Sequence, residues 1–121
     1  MPQTKLIDYP AMVKQFVGDE IIFRRFANRF LDSFEKSLKD IEESFLSGEA
    51  DTVKASIHAF KNLVCNFHAS FMNQIVGEME KLAAIGALDS AEEKMEDVKV
   101  GAGKIAVEIK ALLENSDPLN L

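Results

Sequence analysis

The sequence predicts an all-α fold, an antiparallel four-helix bundle with a short additional helix at the N-terminus. Three observations lead to this prediction. Apolar residues recur every three or four positions along most of the chain, as they do on one face of an α-helix. Proline, the strongest helix breaker, occurs only at Pro2, Pro10 and Pro118, which leaves a long uninterrupted interval. β-branched residues do not alternate in the way that half-buried strands require.

The chain is long enough for one domain, and we expect residues 1–121 to form a single unit with its core over about residues 10–115. The sequence contains no linker, internal repeat or low-complexity segment. Its first residues lack the pattern of a secretory signal, and no window approaches the roughly 20 apolar residues of a membrane span. We therefore expect a cytoplasmic protein without a membrane segment. No additional apolar stripe demands a partner copy, so we expect a monomer.

The first predicted elements are a short helix and a long one. We place the short helix within Leu6 to Val17, beginning near Pro10, because proline suits the first turn of a helix. Asp19 is suited to cap the start of the long helix, and Gly48 is suited to end it. The apolar residues between these positions are spaced so that they lie on one face. This face comprises Phe23, Phe26, Phe30, Phe34, Ile41 and Phe45.

Two further helices follow, each with apolar residues three or four positions apart. The first covers about residues 50–67, and the second begins near Phe71. The apolar face of the first consists of Val53, Ile57, Phe60, Val64 and Phe67. The apolar face of the second consists of Phe71, Ile75, Met79 and Leu82. The segment Ile85–Leu88 then interrupts the pattern, which indicates a turn before the last helix.

The last helix is predicted to start after this turn. Asp89 offers an N-terminal cap, with Glu92 at the capping-box spacing three residues later. From Ala91 to Leu112 the apolar spacings alternate between 4 and 3, which is typical of a helix that packs along another helix. Gly101 and Gly103 lie within this helix and either permit a close contact or weaken it locally. No strand precedes them, so they do not indicate a phosphate-binding loop.

The composition excludes several classes of function. The chain has 14 Lys and Arg against 20 Asp and Glu, a formal net charge of −6. A nucleic-acid binder or a protein that binds anionic membranes needs a basic surface, so we expect neither activity. Two His and one Cys provide too few ligands for a structural zinc site, and a single Cys cannot form an internal disulfide. We expect no metal and no cofactor on this chain.

His58 is the polar residue that most clearly departs from the helical pattern. At 100° per residue, the apolar face of its helix lies about 100° to 180° away from it, so His58 points to solvent. Lys54 and Lys61 stand within side-chain reach of it, four residues before and three after. The outer face of this helix also carries Asp51, Asn62 and Cys65. Two lysines beside a nucleophilic imidazole are suited to receive an anion such as phosphate, whereas an exposed histidine alone is usually without function.

At this point the residues resemble a known family. The stretch from His58 to Ala69 is similar to the motif of histidine-containing phosphotransfer (HPt) domains. That motif has a histidine, an apolar residue two positions later, a lysine three later, a glycine four later, then a run of small or apolar residues, and Gly-Ala ten and eleven later. The matching residues are His58, Phe60, Lys61, Phe67 and Ala69. Asn62 and His68 occupy the positions of the two family glycines, and the resemblance extends over about residues 10–115.

The resemblance implies a phosphorelay intermediate. His58 would attack the aspartyl phosphate of a receiver domain through Nε2, and a second receiver would then take the phosphoryl group. Lys61 would neutralise phosphoryl oxygens, with Lys54 as a weaker candidate, and the partner would contact Lys54, Asn62 and Cys65. The implied partners are response-regulator receiver domains and a hybrid histidine kinase. The chain would be a carrier and no enzyme, since it lacks ATP-binding features, and the Mg²⁺ would belong to the receiver.

Other interpretations remain open from the sequence. Because Asn62 and His68 replace glycines, the chain is alternatively a helical bundle that binds a partner without carrying phosphate, or a structural adaptor. A metal site from His58, Cys65 and Asp51 is disfavoured, because two helical turns separate ligands by about 10.5 Å. We expect His68 to be partly buried and hydrogen-bonded, since it lies near the core edge, and not to be a second phosphate acceptor.

Overall fold

The computed structural model describes residues 6–120, and within this range the regular structure is entirely helical, with no β-strand. Four long helices form an antiparallel bundle, which confirms the predicted fold, and two short helices accompany them. The helices are α1 (Tyr9–Phe16), α2 (Glu20–Ser47), α3 (Ala50–Val64), α4 (Ser70–Ala84), α5 (Leu88–Glu92) and α6 (Met95–Leu113), with a 3₁₀ turn at Cys65–Phe67. Pro2 and the predicted absence of a targeting signal concern residues outside the described range.

The ends of the first two helices follow the sequence signals. The Asp8 side chain accepts a hydrogen bond from the backbone N–H of Ala11 and caps α1, whose first turn contains Pro10. The Asp19 carboxylate accepts from the N–H of Ile22 at 3.2 Å and caps α2. Gly48 ends α2 in the left-handed region, at φ +69°, where a side chain would be strained. The predicted short helix and long helix are therefore both confirmed.

Three details of the later helices differ from the prediction. The helix that carries His58 ends at Val64, and a 3₁₀ turn replaces its last predicted residues. The final helix begins at Met95 and not near Ala91, which belongs to the separate short helix α5. The predicted cap at Asp89 is wrong, because the left-handed turn at Gly86 lets α5 start at Leu88 and leaves Asp89 inside its first turn. Element boundaries depend on such turn geometry more than on apolar periodicity.

One residue of the predicted core is also misplaced. Phe71 leaves 51% of its surface exposed, while the next residue, Met72, is fully buried. The start of α4 at Ser70 sets this orientation, because it turns Met72, Val76 and Met79 towards the bundle interior. The first buried residue of this helix is therefore Met72, one position after the predicted Phe71.

Phenylalanine rings form the part of the core that surrounds the end of α3. Phe23, Phe30 and Phe67 are completely buried, and the Phe67 ring lies 6.5 Å and 5.9 Å from those of Phe23 and Phe30, in edge-on arrangements. Phe26 and Phe34, also on the predicted face of α2, are partly buried against this core. Because Phe67 belongs to the 3₁₀ turn after α3, its burial anchors the end of the helix that carries His58.

The helices pack in a square arrangement that determines which faces remain free. Helix α3 packs against α2 and α4, and α6 also packs against α2 and α4, so α3 and α6 lie at opposite corners of the bundle. The N-terminal segment is tied to α6 by Glu108, whose carboxylate accepts from the N–H of Leu6 and the hydroxyl of Tyr9. Burial and the Glu108 carboxylate raise the pKa of that hydroxyl. None of the helices in this described region is long and apolar enough to cross a membrane.

Candidate functional site

His58 projects from the middle of α3 into solvent, as the helical periodicity predicts. Its side chain is 59% exposed, whereas Ile57 and Phe60, on the opposite face of the same helix, are completely buried. Burial of the apolar face fixes the rotation of α3 about its axis. The direction of His58 is therefore a consequence of core packing and needs no specific contact of its own.

Glu80, on the neighbouring helix α4, joins His58 and Lys61 into one cluster. Its Oε2 atom lies 3.1 Å from Nδ1 of His58, and its Oε1 atom lies 3.3 Å from Nζ of Lys61. The Glu80 side chain is only 20% exposed, since it lies between the two helices. One carboxylate thus holds both residues that the sequence singled out, with one oxygen atom for each.

The charge state of Glu80 determines the form of the His58 ring. Partial burial raises the pKa of Glu80, but the hydrogen bonds and charges of His58 and Lys61 outweigh burial and bring the pKa below its ordinary value of 4.5. At neutral pH Glu80 is therefore an ionised carboxylate, which only accepts hydrogen bonds. Nδ1 of His58 must then carry the proton that it donates to Glu80. In the neutral ring, this leaves the lone pair on Nε2, in a side chain that is 59% exposed as a whole.

The remaining predicted site residues do not join this cluster. Lys54 is exposed and forms no ion pair with any residue in the described range. Asn62 and Cys65 are exposed, and the Cys65 thiol makes a weak contact of 3.8 Å to the backbone oxygen of Asn62. These three residues surround His58 on the free surface. Among residues 6–120, no group of three His, Cys, Asp or Glu side chains is placed to hold a metal ion.

His68 occupies a different structural role, which matches its predicted hydrogen-bonded and partly buried state. Its backbone lies in the left-handed region, at φ 54°, where glycine is favoured and histidine is among the better-tolerated other residues. Its Nε2 atom forms a hydrogen bond with Oε1 of Gln15, and its carbonyl accepts from the N–H of Asp8. These two contacts connect the turn after α3 to α1. The positive φ explains why glycine suits this position.

A groove lies between α2 and α3, and residues on either side of His58 in the sequence line it. It has a volume of about 490 Å³, and Thr52, Ala55 and Ala59 form its α3 wall. The hydroxyls of Ser44 and Ser56 lie 2.8 Å apart across its floor and connect the two helices. The walls of this groove therefore consist mainly of small and polar side chains.

Glu80 is the residue that sequence reasoning missed. It follows the buried Met79, so the helical pattern places it at the edge of the apolar face of α4. A carboxylate at such an edge is a common feature of amphipathic helices and distinguishes no function. Only the packing of α4 against α3 turns this edge towards His58 and Lys61, which lie 22 and 19 residues earlier in the chain.

Comparisons with known proteins identify the family and the fold of this chain. A family model described as "Hpt domain" matches residues 25–117. The fold is similar to the crystal structure of histidine-containing phosphotransfer protein B from Pseudomonas aeruginosa PAO1, with a TM-score of 0.80 and 18% sequence identity over 90% of this chain and 95% of that one. A search of curated proteins finds no match. The family match spans all four long helices in whole or in part, and this chain therefore belongs to the Hpt domain family.

Proposed function

We propose that this protein is a phosphorelay intermediate that accepts a phosphoryl group on His58 from a receiver-domain aspartyl phosphate and passes it to another receiver. Membership of the Hpt domain family supports a histidine phosphotransfer role. The single observation that carries the assignment to His58 is the hydrogen bond from its Nδ1 to Glu80, which leaves the nucleophilic lone pair on Nε2 of an exposed side chain. His68 lacks this arrangement, because Gln15 occupies its Nε2 atom.

The chemistry follows from this geometry. The Nε2 lone pair attacks phosphorus, the bond between phosphorus and the aspartate oxygen breaks, and the aspartate leaves as a carboxylate. The resulting ring carries a phosphoryl group on Nε2, a proton on Nδ1 and a positive charge. Glu80 accepts the Nδ1 proton in a charge-assisted hydrogen bond and stabilises that charge. Transfer to a second receiver reverses these steps and returns the neutral ring to the same tautomer.

Lys61 has a second role in this proposal. In the unphosphorylated protein its ammonium pairs with Glu80, which holds it on the same side of α3 as His58. Its side chain is 40% exposed, so it is free to reach oxygens of a phosphoryl group on the adjacent ring. Charge stabilisation of this kind, together with positioning, accounts for most of the catalysis of phosphoryl transfer. Lys54 is less constrained and is expected to contribute less.

The partner is expected to approach over the surface around His58. Lys54, Asn62 and Cys65 are exposed there, and α3 also forms one wall of the α2–α3 groove. We propose response-regulator receiver domains and a hybrid histidine kinase as the partners, and the cytoplasm as the location. The protein would act as a carrier, and the aspartyl phosphate of the donor would supply the phosphoryl group.

A transfer experiment tests the assignment. A receiver domain is labelled on its aspartate with radioactive acetyl phosphate, purified from excess donor and mixed with the full chain. We expect label on this chain that is labile in acid and stable in base, as a phosphohistidine is, and that His58→Gln abolishes. His68→Gln serves as the matched control and should retain the label. Label that persists in His58→Gln contradicts the assignment, while receiver binding without label indicates a partner-binding bundle that carries no phosphate.

A further inference from the structure

Helix α6 presents an apolar face that no other part of the described chain covers. Val100 and Val107 are 47% and 69% exposed and lie two helical turns apart, on the same side of the helix. Gly103 lies between them, and a Cβ atom built there would meet nothing within 4 Å. We refer to Val100, Gly103 and Val107 as the α6 apolar face.

Nothing that packs within residues 6–120 explains a glycine at position 103. Its backbone is ordinary α-helix, and the space beside it is open, so no turn or close packing requires glycine. Glycine destabilises a helix interior relative to alanine. Gly101 is different, because a Cβ there would lie 2.5 Å from the Met72 side chain. A missing side chain on an exposed helix face is of use where another helix approaches closely.

A shallow apolar groove continues this face towards α2. It has a volume of about 300 Å³ and lies between Leu31 and Phe34 of α2 and Ala106 and Val107 of α6, with Lys110 at one end. Leu31 and Phe34 remain partly exposed, although Phe34 stacks on the buried Phe30 ring. A helix that packs near Gly103 would therefore contact apolar side chains of both α2 and α6.

Two charged residues beside the α6 apolar face, Glu96 and Lys110, indicate what kind of helix would pack against it. Glu96 precedes the face and Lys110 follows it, and both lie on the side of α6 that carries Gly103, at about 20° and 60° from Val107 when counted at 100° per residue. Neither side chain forms an ion pair with another residue between positions 6 and 120. When a second α6 runs antiparallel with Val100 opposite Val107, Glu96 of each copy comes next to Lys110 of the other.

We propose that the α6 apolar face is the contact surface for a second copy of this chain, in an isologous dimer with antiparallel α6 helices. Such a contact uses the same residues twice, and here it pairs valine with valine, glycine with the opposing helix, and glutamate with lysine. The sequence alone led to the expectation of a monomer, and the oligomeric state in solution decides between the two. Because α3 lies at the opposite corner of the bundle from α6, both His58 side chains remain free in the dimer.

Sedimentation velocity of the full chain over a wide range of concentrations tests the dimer. One helix face and a shallow groove form a small interface, of the size found in transient complexes, so we expect monomer at low concentration and dimer at high concentration. Val107→Lys should shift the transition to at least about tenfold higher concentration. Val17→Lys is the matched control, because Val17 is 70% exposed and lies at the end of α1, and it should leave the transition unchanged.

A charge exchange then tests the antiparallel register. Lys110→Glu should weaken association by placing two glutamates together, and the double variant Glu96→Lys with Lys110→Glu should restore it. A single species with the mass of one chain at every concentration overturns the proposal, as does a dimer that Val107→Lys leaves intact. Failure of the double variant to recover overturns the register. Phosphotransfer by Val107→Lys should remain at the wild-type level, so this proposal and the proposed function fail independently.

Discussion

Nδ1 of His58 lies 3.1 Å from Oε2 of Glu80. Glu80 belongs to α4, which begins twelve residues after His58 in the chain. The same carboxylate binds Lys61 through its other oxygen. Together these contacts set the tautomer of the imidazole and connect the Lys61 ammonium to it through one carboxylate. Since an exposed histidine by itself has neither property, this relationship separates His58 from an ordinary surface residue.

Replacement of Glu80 by glutamine should slow phosphotransfer to His58. Glutamine carries no charge to stabilise the phosphorylated ring, and a hydrogen bond to a charged group contributes about 1.5–3 kcal/mol, or about ten- to a hundredfold in rate. Rapid-quench measurement of transfer from a labelled receiver gives the rate. Nitrogen chemical shifts of the His58 ring should also show loss of the single Nδ1–H tautomer, an effect specific to positioning. Glu78→Gln, on the exposed side of α4, should change neither quantity.

Lys61→Met should slow transfer more than Lys54→Met. Lys61 is held beside His58 by Glu80, whereas Lys54 has no ion pair among the described residues. Loss of a charge-assisted contact to the phosphoryl group should slow transfer by about tenfold at Lys61, with a smaller effect at Lys54. Rates at saturating receiver separate this effect from weaker docking. Equal effects of both substitutions would show that only general positive charge matters.

The contribution of Glu80 to stability should depend on pH. Its pKa is lowered in the folded protein, so the stabilisation is present above the unfolded-state pKa of 4.5 and is lost as pH falls through the folded-state pKa. Urea unfolding of the wild type and Glu80→Gln should therefore give the largest difference near neutral pH. The difference should shrink as the pH falls below 4.5 and through the lowered pKa of Glu80 in the folded protein. A difference that stays constant to acidic pH would mean that the Glu80 charge makes no net contribution to folding.

Asn62→Gly should raise the rate of phosphotransfer while it lowers stability. Asn62 is exposed one turn after His58, where its side chain narrows the approach of a partner. Glycine within α3 costs about 1 kcal/mol of folding free energy relative to alanine. Asn62→Ala is the control for side-chain removal without that cost and should also transfer faster than the wild type. A slower rate in both variants would show that the amide contacts the phosphoryl group.

Phe67→Ala should destabilise the protein by about 3–5 kcal/mol, the usual cost of removing a buried aromatic ring. Phe67 is completely buried against Phe23 and Phe30, although it belongs to a 3₁₀ turn. Phe71→Ala, four residues later, removes the same side chain from a site that is 51% exposed and should cost much less. Thermal and urea unfolding of the two variants compare them directly. Similar losses would contradict the assignment of Phe71 to the surface.

Helix order and the outward direction of His58 were predictable because both depend on local patterns. Apolar spacing predicted the long helices, and Asp19 and Gly48 marked the ends of α2, because caps act within a few residues. The same reasoning failed at Asp89 and Phe71, where the turn at Gly86 and the start of α4 changed the register by one or two residues. Such turns depend on how the flanking helices pack.

The sequence by itself determined a helical bundle, a solvent-facing His58 and a lysine one turn away, because periodicity and side-chain reach are properties of a single helix. The tertiary structure alone decided that Glu80 meets both residues, since that contact requires α4 to pack against α3 at one particular rotation and height. It also decided that His68 is fastened to α1 in a left-handed turn. Contacts between helices arise from the shape of the shared core, which no single segment contains.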